Sequence, residues 1–273
     1  METSYDFLLW VKYFILGLIQ GFTEPIPVSS SGHLVLLQHF LGVEIEGLSF
    51  EVLVNFASLL AVLVIYRKDL WKLLSGFFLY IRTRNQSVKD DFKFGMYIIV
   101  ATIPAVAVAL FFDDWIAEQF KHIRVIAVTL VITGLALWLI RNLRGWKKDH
   151  DINLKEVILV GLAQAVALIP GISRSGATIV AAMALGWRQE TALRFSFFLF
   201  IPISIGAGIL SITDLLNDPQ LGQLLLPYTL AFTGSLVSSY YSLKWFMNIM
   251  RSGKLIYFAV YCFAVGGFLL WVL

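Results

Sequence analysis

The sequence predicts an all-α integral membrane protein built as an inverted-topology repeat, each half a re-entrant helical hairpin followed by three transmembrane helices. Three observations predict it. First, 59% of the 273 residues are hydrophobic and only 14% are charged, against about 25% charged in a soluble domain. Second, apolar runs fill most of the chain, at 50–66, 94–112, 125–140, 195–212, 221–250 and 255–273. Each approaches the roughly 20 residues that cross the hydrocarbon. Third, two further apolar regions, 7–41 and 157–186, are broken midway by Pro, Gly and Ser.

The first broken region carries QGFTEPIPVSSSGH at 20–33. Pro25 and Pro27 lack a backbone N–H and stop the first arm. Ser29, Ser30, Ser31 and Gly32 can then open a return helix. Irregular backbone at membrane depth is tolerated only where protein or a watery cavity surrounds it. Of the three spans that follow, the first opens with Glu51, placed to face either the cavity or the headgroups, and Asn55 and Ser58 follow at helical spacing, placed to line the same cavity. The second half repeats the plan, with its hairpin tip at Pro170, Gly171, Ser173, Arg174, Ser175 and Gly176. GLIQGFTEPIPVSSSG at 17–32 aligns without a gap on GLAQAVALIPGISRSG at 161–176, an offset of 161 − 17 = 144 residues. The whole chain, 1–273, is expected to be one polytopic domain, with repeat one at about 7–140 and repeat two at about 157–273.

Charge sets the orientation, because cytoplasmic connections carry an excess of Lys and Arg. Segment 67–93 holds Arg67, Lys68, Lys72, Arg82, Arg84, Lys89 and Lys93; segment 141–155 holds Arg141, Arg144, Lys147, Lys148 and Lys155; Arg251 and Lys254 mark a third basic break. The other connections lean acidic, at Glu44 and Glu46, at Asp113, Asp114 and Glu118, and at Asp214 and Asp218. Run 195–212 thus starts inside and ends outside. Since 141–155 is also inside, 157–186 must enter the membrane and return. The same logic at the front places both termini outside.

The tips are suited to an anion. A helix N-terminus offers unused N–H groups and a positive dipole end; two such ends would meet here, with hydroxyls around them and Arg174 between. Arginine presents a fork that matches phosphoryl oxygens and is costly at this depth without a partner. Serines and glycines also serve close packing between membrane helices, and Glu24 can simply pair with Arg174. What favours a site is that charge, hydroxyls and helix ends coincide at the middle of both repeats. The net charge of +3 points to no nucleic-acid partner, and no phosphate-binding Gly-rich loop of the nucleotide-hydrolase kind is present. His39, His122 and His150 lack metal-ligand spacing. Trp10, Trp71, Trp115, Trp138, Trp146 and Trp187 lie near span ends and read as interface anchors. Cys262 is expected to face lipid or core.

GFTEPIPVSSSGH and PGISRSGAT resemble the two signature motifs of the bacterial undecaprenyl-diphosphate phosphatase family, the bacitracin-resistance proteins, and the resemblance extends over essentially the whole chain. It implies a multi-pass enzyme of the bacterial cytoplasmic membrane that takes the terminal phosphate from undecaprenyl diphosphate and returns the C55 carrier for wall synthesis. It also implies a site opening to the extracytoplasmic side, a divalent cation (Mg²⁺ or Ca²⁺), and a homodimer. By position, the resemblance makes Glu24 a catalytic or metal-binding carboxylate, Ser30 the attacking or phosphate-binding serine, His33 a general acid or base, and Arg174 the phosphate clamp. Ser173 and Thr178 fall near the phosphates. Ser29, Ser31, Gly32, Ser175, Gly176, Gln20 and Gln164 complete the expected substrate-binding set. The family usually reads EGxTE where this chain has QGFTE, so Gln20 replaces a carboxylate. Gln cannot act as a base at neutral pH, which keeps a second reading open: a polyprenyl-phosphate transporter on the same inverted-repeat plan.

Overall fold

Ten α-helices make up a computed structural model of the chain, which describes residues 2–43, 45, 49–120, 122–216 and 221–273. They are α1 (Glu2–Thr23), α2 (Ser30–Leu41), α3 (Ser49–Thr83), α4 (Lys89–Phe120), α5 (Ile123–Ile140), α6 (Leu154–Val166), α7 (Arg174–Ala184), α8 (Gln189–Leu216), α9 (Leu221–Arg251) and α10 (Ile256–Val272). No named strand occurs among the described residues. The expected Glu44, Glu46 and Asp218 lie outside the described residues, as do the side chains of Asp113, Asp114 and Asp214.

The broken regions fold as helical pairs, α1 with α2 and α6 with α7. At 12, 13 and 11 residues, α2, α6 and α7 reach only about 16–20 Å, short of the roughly 30 Å hydrocarbon. α3, α4, α5 and α8 each contain a stretch long and apolar enough to cross. α9 and α10 meet that measure only as a pair, joined at a bend of 119°, so the six separate spans expected become four plus this pair. The reason is compositional: α9 carries Ser235, Ser238, Ser239, Ser242 and Lys244, and α10 has only 17 residues.

The basic segment 67–93 is a second departure, because helix continues through most of it. α3 runs to Thr83, and the chain turns only at Arg84, which adopts φ 54°. Packing accounts for the extension. Phe92 stacks on Phe77 and Tyr80 at 5.1 and 4.7 Å, and Gly76 lets α4 approach so closely that a Cβ there would lie 2.5 Å from the Asp91 carboxylate.

Close backbone approach sets which helices pair. A Cβ on Gly17 of α1 would lie 2.1 Å from the Ala231 carbonyl oxygen of α9, and one on Gly161 of α6 would lie 2.6 Å from the Ala101 carbonyl oxygen of α4. Gly17 and Gly161 stand at the 144-residue offset that aligns the two tips (161 − 17). Each hairpin's first arm therefore packs on the second long helix of the opposite half, and α5 packs against α10. The Ser239 and Ser242 hydroxyls donate to the Gly21 and Phe22 carbonyls at 2.9 and 2.5 Å, satisfying the end of α1.

The 141–153 connection is pinned to the second hairpin. Glu156 accepts from Lys147 at 2.6 Å, from Asn153 at 2.6 Å and from the Trp187 indole at 2.8 Å. Burial opposes ionisation of Glu156, but these donors outweigh it and hold the carboxyl below its usual range. Trp187 is thus no interface anchor: it is fully buried, while Trp71, Trp115, Trp138 and Trp146 are exposed as expected. Its position beside a span end does not reveal that Glu156 and Phe195 enclose it. Cys262 is buried in the core.

Candidate active site

The hairpin tips are built by different solutions to one problem. Each needs a residue with positive φ to reverse direction. In the second tip it is Gly171, at φ 89°, where a Cβ would collide with the Thr129 hydroxyl at 1.9 Å. The equivalent position in the first tip is Pro27 (171 − 144 = 27), whose ring fixes φ near −65°. The reversal falls instead on Ser29, at φ 66° and ψ 90°, a conformation that costs energy for any residue with a Cβ. Thr129 and Thr133 of α5 hold the second tip by donating to the Pro170 and Gly171 carbonyls at 2.8 and 3.1 Å.

Past the tips the two halves match. Ser29 caps α2 by accepting from the Gly32 N–H at 3.3 Å, and Ser173 caps α7 by accepting from the Gly176 N–H at 3.1 Å. The Ser29 and Ser31 hydroxyls pair at 3.4 Å, as do those of Ser173 and Ser175 at 3.3 Å. The tips abut. A Cβ on Gly32 would lie 3.1 Å from the Gly171 Cα, one on Gly176 would lie 3.4 Å from the Pro27 Cβ, and the Ser175 hydroxyl donates to the Ile26 carbonyl at 3.4 Å. Each capping serine uses one first-turn N–H group, which leaves those of Ser30, Ser31, Arg174 and Ser175 as the donors a helix start does not use internally.

One carboxylate ties the halves together. Buried Glu24 accepts from the Gln20 amide at 2.9 Å, from the Ser30 hydroxyl, and from the Arg174 guanidinium. The guanidinium also lies over the Phe200 ring, 3.9 Å from its centroid, where the face of the ring favours a cation. Beside this group is a cavity of about 200 Å³. Glu24, Ser29, Ser30, Ser31, Gln164, Ser173, Arg174 and Ser175 all line it, as does Asn55, whose Oδ1 accepts from Ser204 at 2.9 Å. Ser58 lines a smaller recess behind Glu24 and Arg174.

The remaining expected site residues are placed otherwise. Gln20 does not line the cavity but braces Glu24 from one turn away. Gly32 and Gly176 spend their N–H groups on the caps and serve the contact between tips. Thr178 is bound to the Arg174 carbonyl at 3.0 Å and to the Ser196 hydroxyl at 2.6 Å, away from the cavity lining. His33 is directed to α10. Its Nδ1 donates to the Ser29 carbonyl at 2.8 Å, and its Nε2 accepts from the Tyr261 hydroxyl at 2.8 Å; the carbonyl can only accept, which fixes the tautomer of the neutral ring. His33 therefore steadies the strained Ser29 and does not line the cavity. Phe200, Tyr261, Thr129 and Thr133 went unread in the sequence. An aromatic in FSFFLFIP looks like any core residue, whereas two threonines four apart in the apolar run 125–140 do form a polar stripe.

For a metal, the residues present fit a shared site and not a closed cage. Among the described residues no group of three or more His, Cys, Asp or Glu could hold an ion, and Glu24 is the only carboxylate lining the cavity. Mg²⁺ is commonly held in this way, by one or two carboxylates together with substrate phosphates.

Two broken hairpins, meeting tip to tip in a helical bundle around a carboxylate, an arginine and a set of hydroxyls, define a polytopic membrane protein with a polar cavity between its tips. Residues 13–268 match the family described as "Bacitracin resistance protein BacA", and the chain belongs to that family. It is 65% identical over 266 residues, 97% of each chain, to Undecaprenyl-diphosphatase 1 of Halalkalibacterium halodurans. It is 60% identical over 262 residues, 96% of this chain and 97% of the relative, to Undecaprenyl-diphosphatase 1 of Bacillus licheniformis. Over 268 residues, 97% of this chain and 98% of the relative, it is 51% identical to the Undecaprenyl-diphosphatase of Oceanobacillus iheyensis.

Proposed function

We propose that this chain is a membrane phosphatase that removes the terminal phosphate of undecaprenyl diphosphate and so recycles the C55 lipid carrier for cell-wall synthesis. The observation that carries the chemistry is the Ser30 hydroxyl on the Glu24 carboxylate, itself held by Arg174. A nucleophile within hydrogen-bond reach of a base, with the base oriented by a third group, is the arrangement of an activated nucleophile. The diphosphate enters between the tips. The Arg174 fork and the unused N–H groups of α2 and α7 take its oxygens, supplying the electrostatic positioning that phosphoryl transfer chiefly needs. Ser30 Oγ then bonds to the terminal phosphorus as the bridging P–O bond breaks. Its proton passes to Glu24 and on to the departing lipid phosphate. Water later cleaves the phosphoserine. The cavity takes the headgroup and is far too small for the C55 chain, which stays among lipids.

A divalent cation, Mg²⁺ or Ca²⁺, belongs to the proposal, held by Glu24 and the diphosphate; when bound it would neutralise developing charge. The inverted repeat, with its halves at about 7–140 and 157–273, is supported by the exchanged pairing of α1 with α9 and of α6 with α4. Extracytoplasmic termini are supported by the basic residues of 141–155, and the outward-opening site and the homodimer by the family resemblance. The carrier reading loses its ground, since Gln20 serves Glu24 as a brace without having to act as a base.

The test is phosphate release from undecaprenyl diphosphate by the purified protein with Mg²⁺. Ser30→Ala, Glu24→Gln and Arg174→Ala should each lower turnover by about 100-fold or more while the full chain still folds. Wild-type turnover in all three would overturn the proposal.

A further inference from the structure

Gln20 and Gln164 occupy the same repeat position (164 − 144 = 20), yet one turn on the first repeat has Glu24 and the second has Leu168. Gln20 therefore commits its amide to Glu24 at 2.9 Å. Gln164 has no such neighbour. It is 1% exposed and lines the same cavity as Glu24, Ser30 and Arg174. Neither its Nε2 nor its Oε1 meets a hydrogen-bonding protein atom among the described residues. A buried carboxamide left this way is costly, and the cavity is where reactants can satisfy it.

The chemistry of the group narrows what it meets. The amide nitrogen donates and the carbonyl oxygen accepts. A fully ionised phosphate answers only the first, because it has no proton to give. A water molecule set against a phosphoryl group answers both: the water donates to Oε1, and a phosphoryl oxygen accepts from Nε2. We infer that Gln164 is a positioning residue for the hydrolytic water, holding it in line with the phosphorus of phosphorylated Ser30. The inference rests on the Ser30 reading above. In this step the water oxygen–phosphorus bond forms and the Ser30 Oγ–phosphorus bond breaks. A water proton reaches Ser30 Oγ by way of Glu24, and inorganic phosphate leaves. Gln164 gains and loses no proton. A glutamine amide orients the attacking water in some nucleotide hydrolases, which is a likeness of chemistry and not of fold.

Rapid-quench kinetics of the full chain in nanodiscs, with undecaprenyl diphosphate and Mg²⁺, test this in Gln164→Leu and Gln164→Glu. The first equivalent of undecaprenyl phosphate should appear at the wild-type rate. Phosphate release should fall about 10- to 100-fold, kcat/KM should hold so that KM falls with kcat, and phosphorylated protein should accumulate in the intact mass spectrum. Gln164→Glu keeps the size and polarity of the site should the leucine variant fail to fold. Three results would overturn the inference: wild-type phosphate release, equal slowing of both products in the first turnover, or a raised KM with kcat kept. Ser30→Ala separates the two readings. If it releases phosphate normally, the serine reading fails and takes the inference with it. If it is inactive while the Gln164 variants behave as wild type, the inference alone fails.

Discussion

Arg174 is held by shape as much as by charge. It reaches Glu24 with one nitrogen and lays its guanidinium plane on Phe200 at 3.9 Å. Lysine would keep the charge but lose both the fork and the flat face. Arg174→Lys should therefore lower kcat/KM by about 10- to 100-fold, with the melting temperature near wild type. Equal kcat/KM would show that charge alone suffices. Of the site, the residues that carry a charge, a hydroxyl or an amide inside the broken runs were legible: Glu24, Ser29–Ser31, Ser173, Arg174, Ser175 and Gln164 all meet at one cavity. Direction was not legible. His33 and Thr178 lie within a few residues of that set, yet helix geometry turns them toward Tyr261 and Ser196. Neighbours in sequence on a helix point to different faces, and which face meets the cavity is settled by packing.

Among elements, the contact of α1 with α9 is the least forgiving. A side chain at Gly17 has backbone in its way, whereas nothing lies within 4 Å of a Cβ at Gly206 in α8. Gly17→Leu should lower stability by about 1–3 kcal/mol or more, and Gly206→Ala should not. Thermal melts in one detergent would compare them, and equal melting temperatures would contradict the close approach. The pinned 141–153 connection gives a pH signature. Glu156 titrates below its usual range in the folded protein, so its contribution is present above the unfolded value of about 4.3 and is lost as pH falls through the lower folded value. The wild-type melting temperature should drop on acidification through that range, and Glu156→Gln should flatten the drop. The existence and order of the helices were readable from hydropathy and prolines. The length of α3 was not, because charge marks where lipid ends and not where helix ends.

At the scale of the whole molecule, orientation is open to direct measurement. Cys262 is fully buried, so the native chain should be silent to a membrane-impermeant thiol reagent. A cysteine placed at exposed His150 should react only from the cytoplasmic face, and one at exposed Leu273 only from the outside. Labelling of both from the same face would refute the topology. The likeness of the two tips was visible because they share a motif at an offset of 144 positions (161 − 17). The pairing of helices was not, since the small residues that allow it follow no period.

The bond between Glu24 and Arg174 crosses from one half to the other. Their repeat counterparts are Leu168 and Ser30 (24 + 144 = 168 and 174 − 144 = 30), so neither half holds both charges. A chain made of one half copied twice would set two carboxylates or two guanidiniums against each other and have no ion pair at all. Cleavage of the gene within 141–153 would yield two inert polypeptides whose activity returns only when both are made in the same cell. The two tips share a motif, yet it is their unlike residues at these two positions that make the ion pair.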